Sequence, residues 1–162
     1  ERDSIDKINK VFLYKDKKRA FDLYSIYPDI NGKFIIESQE ARNSMTESDY
    51  AKINFKLISE KIEFGDIYIF GKLSDWMIND NFKLKYNEKE KIYETDIILK
   101  QGYYNYNYAL KDTINNTIDF SFIEGTHYQT KNDYYIYVYY RGSENRYDML
   151  IGFLKTSSKE LF

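Results

Sequence analysis

The stretch that decides the fold is Asp133-Tyr-Tyr-Ile-Tyr-Val-Tyr-Tyr-Arg-Gly-Ser-Glu-Asn-Arg-Tyr-Asp-Met-Leu-Ile-Gly-Phe153. It is typical of a β-hairpin, because two runs rich in aromatic and β-branched residues flank a short polar turn that contains glycine. The sequence predicts strands at 134–141 and 146–153, joined by a connection at 142–145. This hairpin indicates β-structure, and the role of its aromatic side chains has to be explained.

The two faces of the predicted hairpin differ in character, because side chains alternate across a strand. Ile136 and Val138 share one face, which we expect to be core. The other face carries an aromatic stripe made of Tyr135, Tyr137 and Tyr139. The aromatic stripe needs a partner, which is either the rest of the domain or another molecule.

Two arginines belong to the same region of the hairpin. The aromatic stripe leads into Arg141, and Arg146 begins the return strand. Tyrosine and arginine are enriched among the residues that dominate protein interfaces. The three tyrosines and two arginines are therefore candidate partner-binding residues. Cross-strand pairing within one sheet is the alternative explanation for the tyrosines.

The rest of the chain also favours β-structure. It holds 18 Tyr and 11 Phe but a single Pro among 162 residues, and aromatic and β-branched residues suit a pleated, half-buried surface. Ile53, Phe55 and Leu57 alternate with polar residues in the pattern of a half-buried strand. About nine or ten such runs, including 20–27 and 118–123, recur between turn signals, which predicts an all-β antiparallel sandwich.

Composition excludes several classes of function. The net charge is −2 and the basic residues are dispersed, so we expect no nucleic-acid partner. No apolar run approaches the roughly 20 residues of a membrane-spanning helix, so we expect no membrane insertion. The chain has no cysteine, which excludes disulfides and thiolate metal sites.

Catalytic and metal-binding patterns are not recognisable in the sequence. The single histidine, His127, lies in a loop without a nucleophile or metal ligands at a familiar spacing, so we interpret it as a loop-packing residue. Asp75 and Glu124 are the carboxylates that a glycosidase pair would use, and solvated or ion-paired side chains are the simpler interpretation. We therefore predict no catalytic residues, no metal and no cofactor.

Trp76 is the only tryptophan and follows a strand in the segment Gly71-Lys-Leu-Ser-Asp-Trp76. This segment, followed by a hairpin and a tyrosine-rich strand, resembles the starch- and glycogen-binding modules of the immunoglobulin-like class. The resemblance implies that Trp76 stacks on sugar, while Asn107 stands where those modules place a lysine. Their second tryptophan has no counterpart here. The alternative function is thus a carbohydrate-binding module, with Trp76 and Asn107 as candidate glycan-binding residues; the structural alternative is that Trp76 plugs one end of the sandwich.

The order of several motifs is more specific than any one of them. They are Asp29-Ile-Asn-Gly-Lys-Phe34, Glu47-Ser-Asp-Tyr50, Ile67-Tyr-Ile-Phe-Gly-Lys-Leu-Ser-Asp-Trp76, Leu99-Lys-Gln-Gly-Tyr-Tyr-Asn-Tyr-Asn-Tyr108, Glu124-Gly-Thr-His-Tyr-Gln-Thr-Lys-Asn-Asp-Tyr134, Tyr139-Tyr-Arg and Arg146-Tyr-Asp-Met-Leu-Ile-Gly152. In this order they resemble the family of type IX secretion system plug proteins, over roughly residues 8 to 154.

The resemblance implies a non-enzymatic periplasmic protein associated with the outer membrane. Plug proteins seal the periplasmic mouth of a giant outer-membrane β-barrel translocon, and this chain would be the C-terminal domain of one. The implied partner is that translocon, and no small-molecule ligand is expected. Residues 1–7 are then the edge of an excised fragment or a linker from a missing N-terminal domain, 8–154 an immunoglobulin-like β-sandwich, and 155–162 a frayed tail.

Overall fold

The computed structural model of the protein describes residues 8–24, 29–38, 42–130 and 132–158. The predicted fragment edge at 1–7 and the last residues of the predicted tail, 159–162, lie outside the described residues.

The chain divides into two compact units, Glu1–Thr126 and His127–Phe162. The sequence predicted one sandwich over 8–154, whereas the contacts within the chain divide it before the C-terminal hairpin. Every residue of the buried core cluster lies at or before Ile123, so this cluster belongs to the first unit.

Short strands are the main regular structure of the described chain. The strands are β1 Lys10–Phe12, β2 Asp16–Lys17, β3 Phe34–Ile36, β4 Tyr50–Ile58, β5 Gly65–Phe70, β6 Lys85–Asn87, β7 Ile92–Lys100, β8 Gly102–Tyr104, β9 Asn107–Asp112, β10 Ile118–Asp119, β11 Asp133–Tyr140 and β12 Met149–Ser157. The α-helices are α1 Ser44–Glu47 and α2 Ser121–Glu124, and two 3-10 helices span Lys72–Ser74 and Asp80–Phe82. No helix in the described ranges is long and apolar enough to cross a membrane.

The first unit is built from two main sheets. One has the order β1-β4-β7-β6, with β2 also pairing to β4, and the other has the order β10-β9-β5. A small antiparallel pair, β3 and β8, completes the unit. The predicted all-β sandwich is confirmed. Most pairs are antiparallel, whereas β1 and β2 run parallel to β4.

The core of the sandwich forms where the inner faces of the two sheets meet. The alternation of Phe55 and Leu57 in β4 buries both side chains, as the sequence predicted. The buried cluster consists of Phe55, Leu57, Ile67, Ile69, Leu84, Tyr93, Ile97, Tyr108, Leu110 and Ile123. These residues come from both main sheets and from α2, so the core holds the first unit together.

Two predicted strands take other conformations. Residues 20–22 form a turn and bend, and 25–28 lie outside the described residues. The run 118–123 is a strand only at β10, because the Asp119 side chain then starts α2. Its Oδ1 atom accepts hydrogen bonds from the Ser121 backbone N–H and hydroxyl, both at 2.7 Å. An aspartate in this position favours a helix start over a continuing strand.

The second unit is the β11–β12 hairpin. Its strands pair antiparallel from Asp133↔Ser157 to Tyr140↔Met149. The connection is 141–148, longer than predicted, and its first and last residues, Arg141 and Asp148, form a two-pronged ion pair with N–O distances of 2.8 and 3.0 Å. The return strand runs to Ser157, so residues 155–157 are strand and not a frayed tail.

Candidate interaction surfaces

The aromatic stripe of the hairpin gains a partner from the opposite strand. Tyr137 lies directly across from Phe153, and the ring centroids of Tyr135 and Tyr137 are 6.5 and 5.3 Å from that of Phe153. A bulge between Val138 and Tyr139 leaves Ile151 as the extra residue, so Tyr139 pairs with Leu150. The stripe is therefore one side of a continuous apolar face.

The side chains on both faces of β11 are about half exposed. Every side chain from Tyr134 to Tyr140 is between 47% and 61% exposed. The prediction that Ile136 and Val138 form core is wrong, because a two-stranded ribbon offers each side chain only its neighbours on the same face. Alternation in the sequence predicts which side chains share a face of a strand. It does not predict whether another layer of the protein covers that face.

The charged groups around the aromatic stripe are mostly paired within the hairpin. The Lys155 ammonium lies 3.1 Å from an Asp133 carboxylate oxygen and 5.3 Å from the centroid of the Tyr135 ring. These contacts with Asp133 and Tyr135 hold the pKa of Lys155 above its usual value. Arg141 is tied to Asp148, whereas Arg146 is exposed in the connection. The candidate arginines therefore differ, and Arg146 is the one without an ion pair among the described residues.

Trp76 lies at one end of the sandwich and is 45% exposed. Its indole packs edge-on against Phe70, with ring centroids 5.8 Å apart. The other contact is Gly32, where a Cβ atom would lie 2.6 Å from the indole Cη2 atom. Trp76 therefore packs beside Phe70, the last residue of β5, and still presents about half of its surface to solvent.

The loop that carries Trp76 is strained. Asp75 and Trp76 have φ values of 52° and 59°, in the left-handed region that residues with a Cβ avoid. The Trp76 N–H donates to the Gly71 carbonyl at 3.0 Å, and Lys72 and Asp75 form an ion pair at 2.9 Å. These contacts hold Trp76 in one conformation, and backbone strain of this kind is concentrated at functional positions in proteins.

Asn107 lies close to this tryptophan site. It is exposed and pairs with Phe70 across β5 and β9, which puts both side chains on one face. Phe70 also packs on Phe120, with centroids 4.9 Å apart. The two candidate glycan-binding residues, Trp76 and Asn107, are thus both neighbours of Phe70.

A polar network inside the first unit was not predicted. One carboxylate oxygen of Asp16, Oδ2, accepts hydrogen bonds from the hydroxyls of Tyr106 and Tyr108 at 2.8 and 2.7 Å. Asp16 lies 90 residues or more from both tyrosines in sequence. No spacing rule connects such distant residues, so this contact had no recognisable signal in the sequence.

Glu124 extends the network toward α2. Its carboxylate accepts two hydrogen bonds from the Arg19 guanidinium, at 2.8 and 3.0 Å, and one from the Tyr108 backbone N–H at 2.7 Å. Burial and the nearby negative charge raise the pKa values of Tyr106 and Tyr108 well above the ordinary value of tyrosine. Both hydroxyls are therefore protonated donors at neutral pH.

The residues considered for catalysis serve as structural partners where the structure describes them. Asp75 pairs with Lys72 and Glu124 pairs with Arg19. His127 is half-buried and its carbonyl accepts a hydrogen bond from the Thr130 N–H at 3.2 Å. Within the described ranges, no group of three His, Cys, Asp or Glu side chains could hold a metal ion.

A cleft of about 650 Å³ opens into the first unit. Its walls come mainly from β1, β4 and the segment around β8, and they are mostly apolar. Its lining includes Val11, Leu13, Ile53, Leu99, Tyr104 and Tyr106. Asp16 and Asp49 are the acidic residues of the lining. The sequence did not indicate this cleft, because its walls come from segments far apart in the chain.

The fold has a counterpart among solved structures. A hypothetical protein from Parabacteroides merdae ATCC 43184, solved at 2.30 Å, is similar to this chain with a TM-score of 0.83 and 36% sequence identity. The similarity covers 92% of this chain and 38% of that one, so the chain spans about two-fifths of the length of the protein that it matches. No family model matches the chain, and no curated protein matches it.

Proposed function

We propose that this chain is a non-enzymatic protein-interaction domain of a periplasmic plug, which helps to seal the outer-membrane translocon of type IX secretion. The observation that carries the proposal is the exposed aromatic surface of the β11–β12 hairpin. The order of sequence motifs supports the choice of family. The proposed partner is the outer-membrane β-barrel translocon.

The size of the exposed surface favours a protein partner. The aromatic side chains on the stripe face are Tyr135, Tyr137 and Tyr139 of β11, with Phe153 across from Tyr137, each about half exposed. At about 200 Å² for a whole aromatic side chain, these four present roughly 400 Å² of surface. Monomeric proteins rarely expose apolar patches beyond a few hundred Å², and larger ones mark interaction sites.

The chemistry of the surface suits a seal. The ion pairs Lys155–Asp133 and Arg141–Asp148 neutralise four of the charges beside the aromatic stripe. Tyrosine rings offer large contact area with few rotatable bonds, so little conformational entropy is lost when a partner covers them. A neutral and rigid aromatic face can therefore close a pore by surface contact alone, without catalysing a reaction.

The test is co-purification from the native outer membrane and periplasm with the full parent protein. We compare the parent protein with two single variants, Tyr137→Glu on the stripe and Val138→Glu on the opposite face. Each places one new carboxylate at the centre of β11, so the two variants differ in face and not in charge. Far-UV circular dichroism and a urea unfolding curve verify that both are folded.

We expect the parent protein and Val138→Glu to bring down a very large outer-membrane barrel, and Tyr137→Glu to lose it. Loss in both variants means that the whole hairpin docks, which keeps the plug function and changes the face. The plug proposal is wrong if the parent protein brings down no barrel under conditions in which it is abundant and folded.

A second candidate function is carbohydrate binding at Trp76. The observation that favours it is the fixed, half-exposed indole packed on Phe70, whose cross-strand partner is Asn107. Aromatic faces next to amide side chains provide the stacking and hydrogen bonds that a sugar ring needs. The missing counterpart of the second tryptophan argues for the plug over this candidate.

Retention on starch or glycogen tests the second candidate. A glycan site requires that the chain is retarded and that Trp76→Ala abolishes the retardation while the protein stays folded. The matched control is Phe120→Ala, which removes a neighbouring ring of the same cluster without touching the indole directly. An unretarded wild-type chain rejects carbohydrate binding.

A further inference from the structure

The edge of the first sheet at β1 is open as far as the described residues show. β1 pairs with β4, and no strand of the described ranges pairs with its other edge. The Lys52 N–H donates to the Asn9 carbonyl at 2.9 Å, and the Leu13 N–H donates to the Asn54 carbonyl at 3.2 Å. Residues 9, 11 and 13 thus face β4, and the backbone N–H and C=O groups of Lys10 and Phe12 point outward.

The open edge lies beside the cleft. Val11 and Leu13 line the cleft, and their inward direction follows from the register that pairs Val11 with the inward-facing Ile53. Lys10 and Phe12 face the opposite side of the sheet, where the Lys10 ammonium lies 5.1 Å from the Phe12 ring centroid. A strand added at this edge would place every second side chain in the cleft.

The cleft accepts apolar groups and a positive charge. Its volume of about 650 Å³ is of the size that holds ligands or several side chains. Asp49 lines it and is exposed, and its carboxylate has no hydrogen bond or ion pair from the described part of the chain. The one lysine in the lining, Lys100, is engaged by the Met45 carbonyl. A cation on the bound molecule would pair with Asp49.

We propose that this edge and cleft bind an extended segment of a separate polypeptide by strand addition. The segment carries apolar side chains at alternate positions and a lysine or arginine at the end near Asp49. Main-chain hydrogen bonds to Lys10 and Phe12 supply affinity, and the cleft supplies selectivity for the alternate side chains. This site lies in the first unit and is independent of the aromatic stripe.

A peptide library tests the proposal with the folded chain. The probe is a phage library of random nonapeptides, selected on the immobilised protein and followed by synthesis of the enriched peptides. We expect alternating apolar residues with a basic residue at one end. Amide hydrogen exchange of Lys10 and Phe12 should slow at least tenfold when such a peptide is bound, because those N–H groups then donate to it.

Substitutions at the edge separate backbone pairing from side-chain packing. Phe12→Pro removes an outward N–H at an edge position where proline is tolerated, and should weaken peptide binding at least tenfold. Phe12→Ala removes the ring and keeps the N–H, so it should bind within threefold of wild type. Ala51→Phe fills the cleft from β4 and should also weaken binding at least tenfold.

Three results overturn the proposal. One is enrichment of peptides without alternation, and another is equal binding by Phe12→Pro and Phe12→Ala when both are folded. The third is self-association of the chain that Phe12→Pro abolishes, because a second copy would then be the occupant of the edge.

Discussion

The indole of Trp76 lies directly against Gly32, so closely that a Cβ atom on the glycine would meet the Cη2 atom at 2.6 Å. Gly32 also has a φ of +71°, and its N–H donates to the Asn105 side chain at 2.6 Å. The turn at residues 29–32 and the Trp76 loop are thus fixed against each other, which gives the end of the sandwich one arrangement.

We expect Gly32→Ala to destabilise the first unit by about 2 to 4 kcal/mol, because it adds both a strained φ and a clash with the indole. Urea unfolding monitored by far-UV circular dichroism measures the change, because Trp76 is the only tryptophan and is absent from one of the variants compared. In the double variant with Trp76→Ala the clash is absent and only the strain remains. The double variant should therefore lose less stability than the sum of the losses in Gly32→Ala and Trp76→Ala, by at least about 1 kcal/mol. Strict additivity of the two losses would argue against the contact between Gly32 and the indole.

Trp76 itself should be easier to replace by glycine than by alanine. Trp76→Ala loses the contact with Phe70 and keeps a Cβ in the left-handed region, at a cost of about 1 to 3 kcal/mol for a half-exposed ring. Trp76→Gly loses the same contact and relieves the backbone, so it should be more stable than Trp76→Ala by roughly 1 kcal/mol. Unfolding curves followed by circular dichroism decide the order, and the reverse order would mean that strain at residue 76 is negligible.

The buried tyrosines predict a loss of stability at high pH. Their folded pKa values are raised, so the unfolded state releases its protons first as the pH rises above about 10. Stability is fully present below that pH and falls above it, by about 1.4 kcal/mol per pH unit for each such tyrosine. Urea midpoints between pH 9 and pH 11.5 measure the slope.

Tyr106→Phe is the matched variant for this effect. It removes one titrating hydroxyl and keeps the ring, including its edge contact with Phe55 at 5.1 Å between centroids. The slope above pH 10 should become shallower by about 1.4 kcal/mol per pH unit. Unchanged slopes in wild type and Tyr106→Phe would show that the Tyr106 hydroxyl does not contribute to alkaline unfolding.

The first unit should fold without the hairpin. Its core cluster ends at Ile123, so a chain that stops at Thr126 keeps every core residue. We expect this chain to unfold cooperatively, with a urea midpoint within about 0.5 M of the corresponding transition in the longer protein. A truncated chain without a cooperative transition would show that the second unit is needed for folding of the sandwich.

Local patterns predicted the parts of the fold that depend on local chemistry. Alternation at Ile53, Phe55 and Leu57 identified β4 and its buried face, and the glycine-containing turn identified the C-terminal hairpin. The prediction of a strand over 118–123 was wrong beyond β10. The hydrogen bond that the Asp119 side chain accepts favours a helix start there, despite the β-propensity of the run. Propensity is an average over contexts, and a capping contact is specific to one position.

For the candidate surfaces, the sequence predicted which types of residue take part, but not what surrounds them. The tyrosines of the stripe were placed correctly on one face of β11, since a period of two needs no tertiary information. The opposite face is core only if another layer covers it. The identities of Ile136 and Val138 do not show whether such a layer exists. The Asp16 contact with Tyr106 and Tyr108 was unpredictable for the same reason, because long-range contacts leave no local pattern.

That contact also has a consequence for the order of events during synthesis. Asp16 leaves the ribosome first, and its more distant partner, Tyr108, follows 92 residues later. At translation rates of about 5 to 20 residues per second, the segment around Asp16 waits roughly 5 to 20 s before it can be tied down. During that interval Tyr14, which remains 99% exposed even in the folded protein, belongs to a nascent segment that a chaperone could hold.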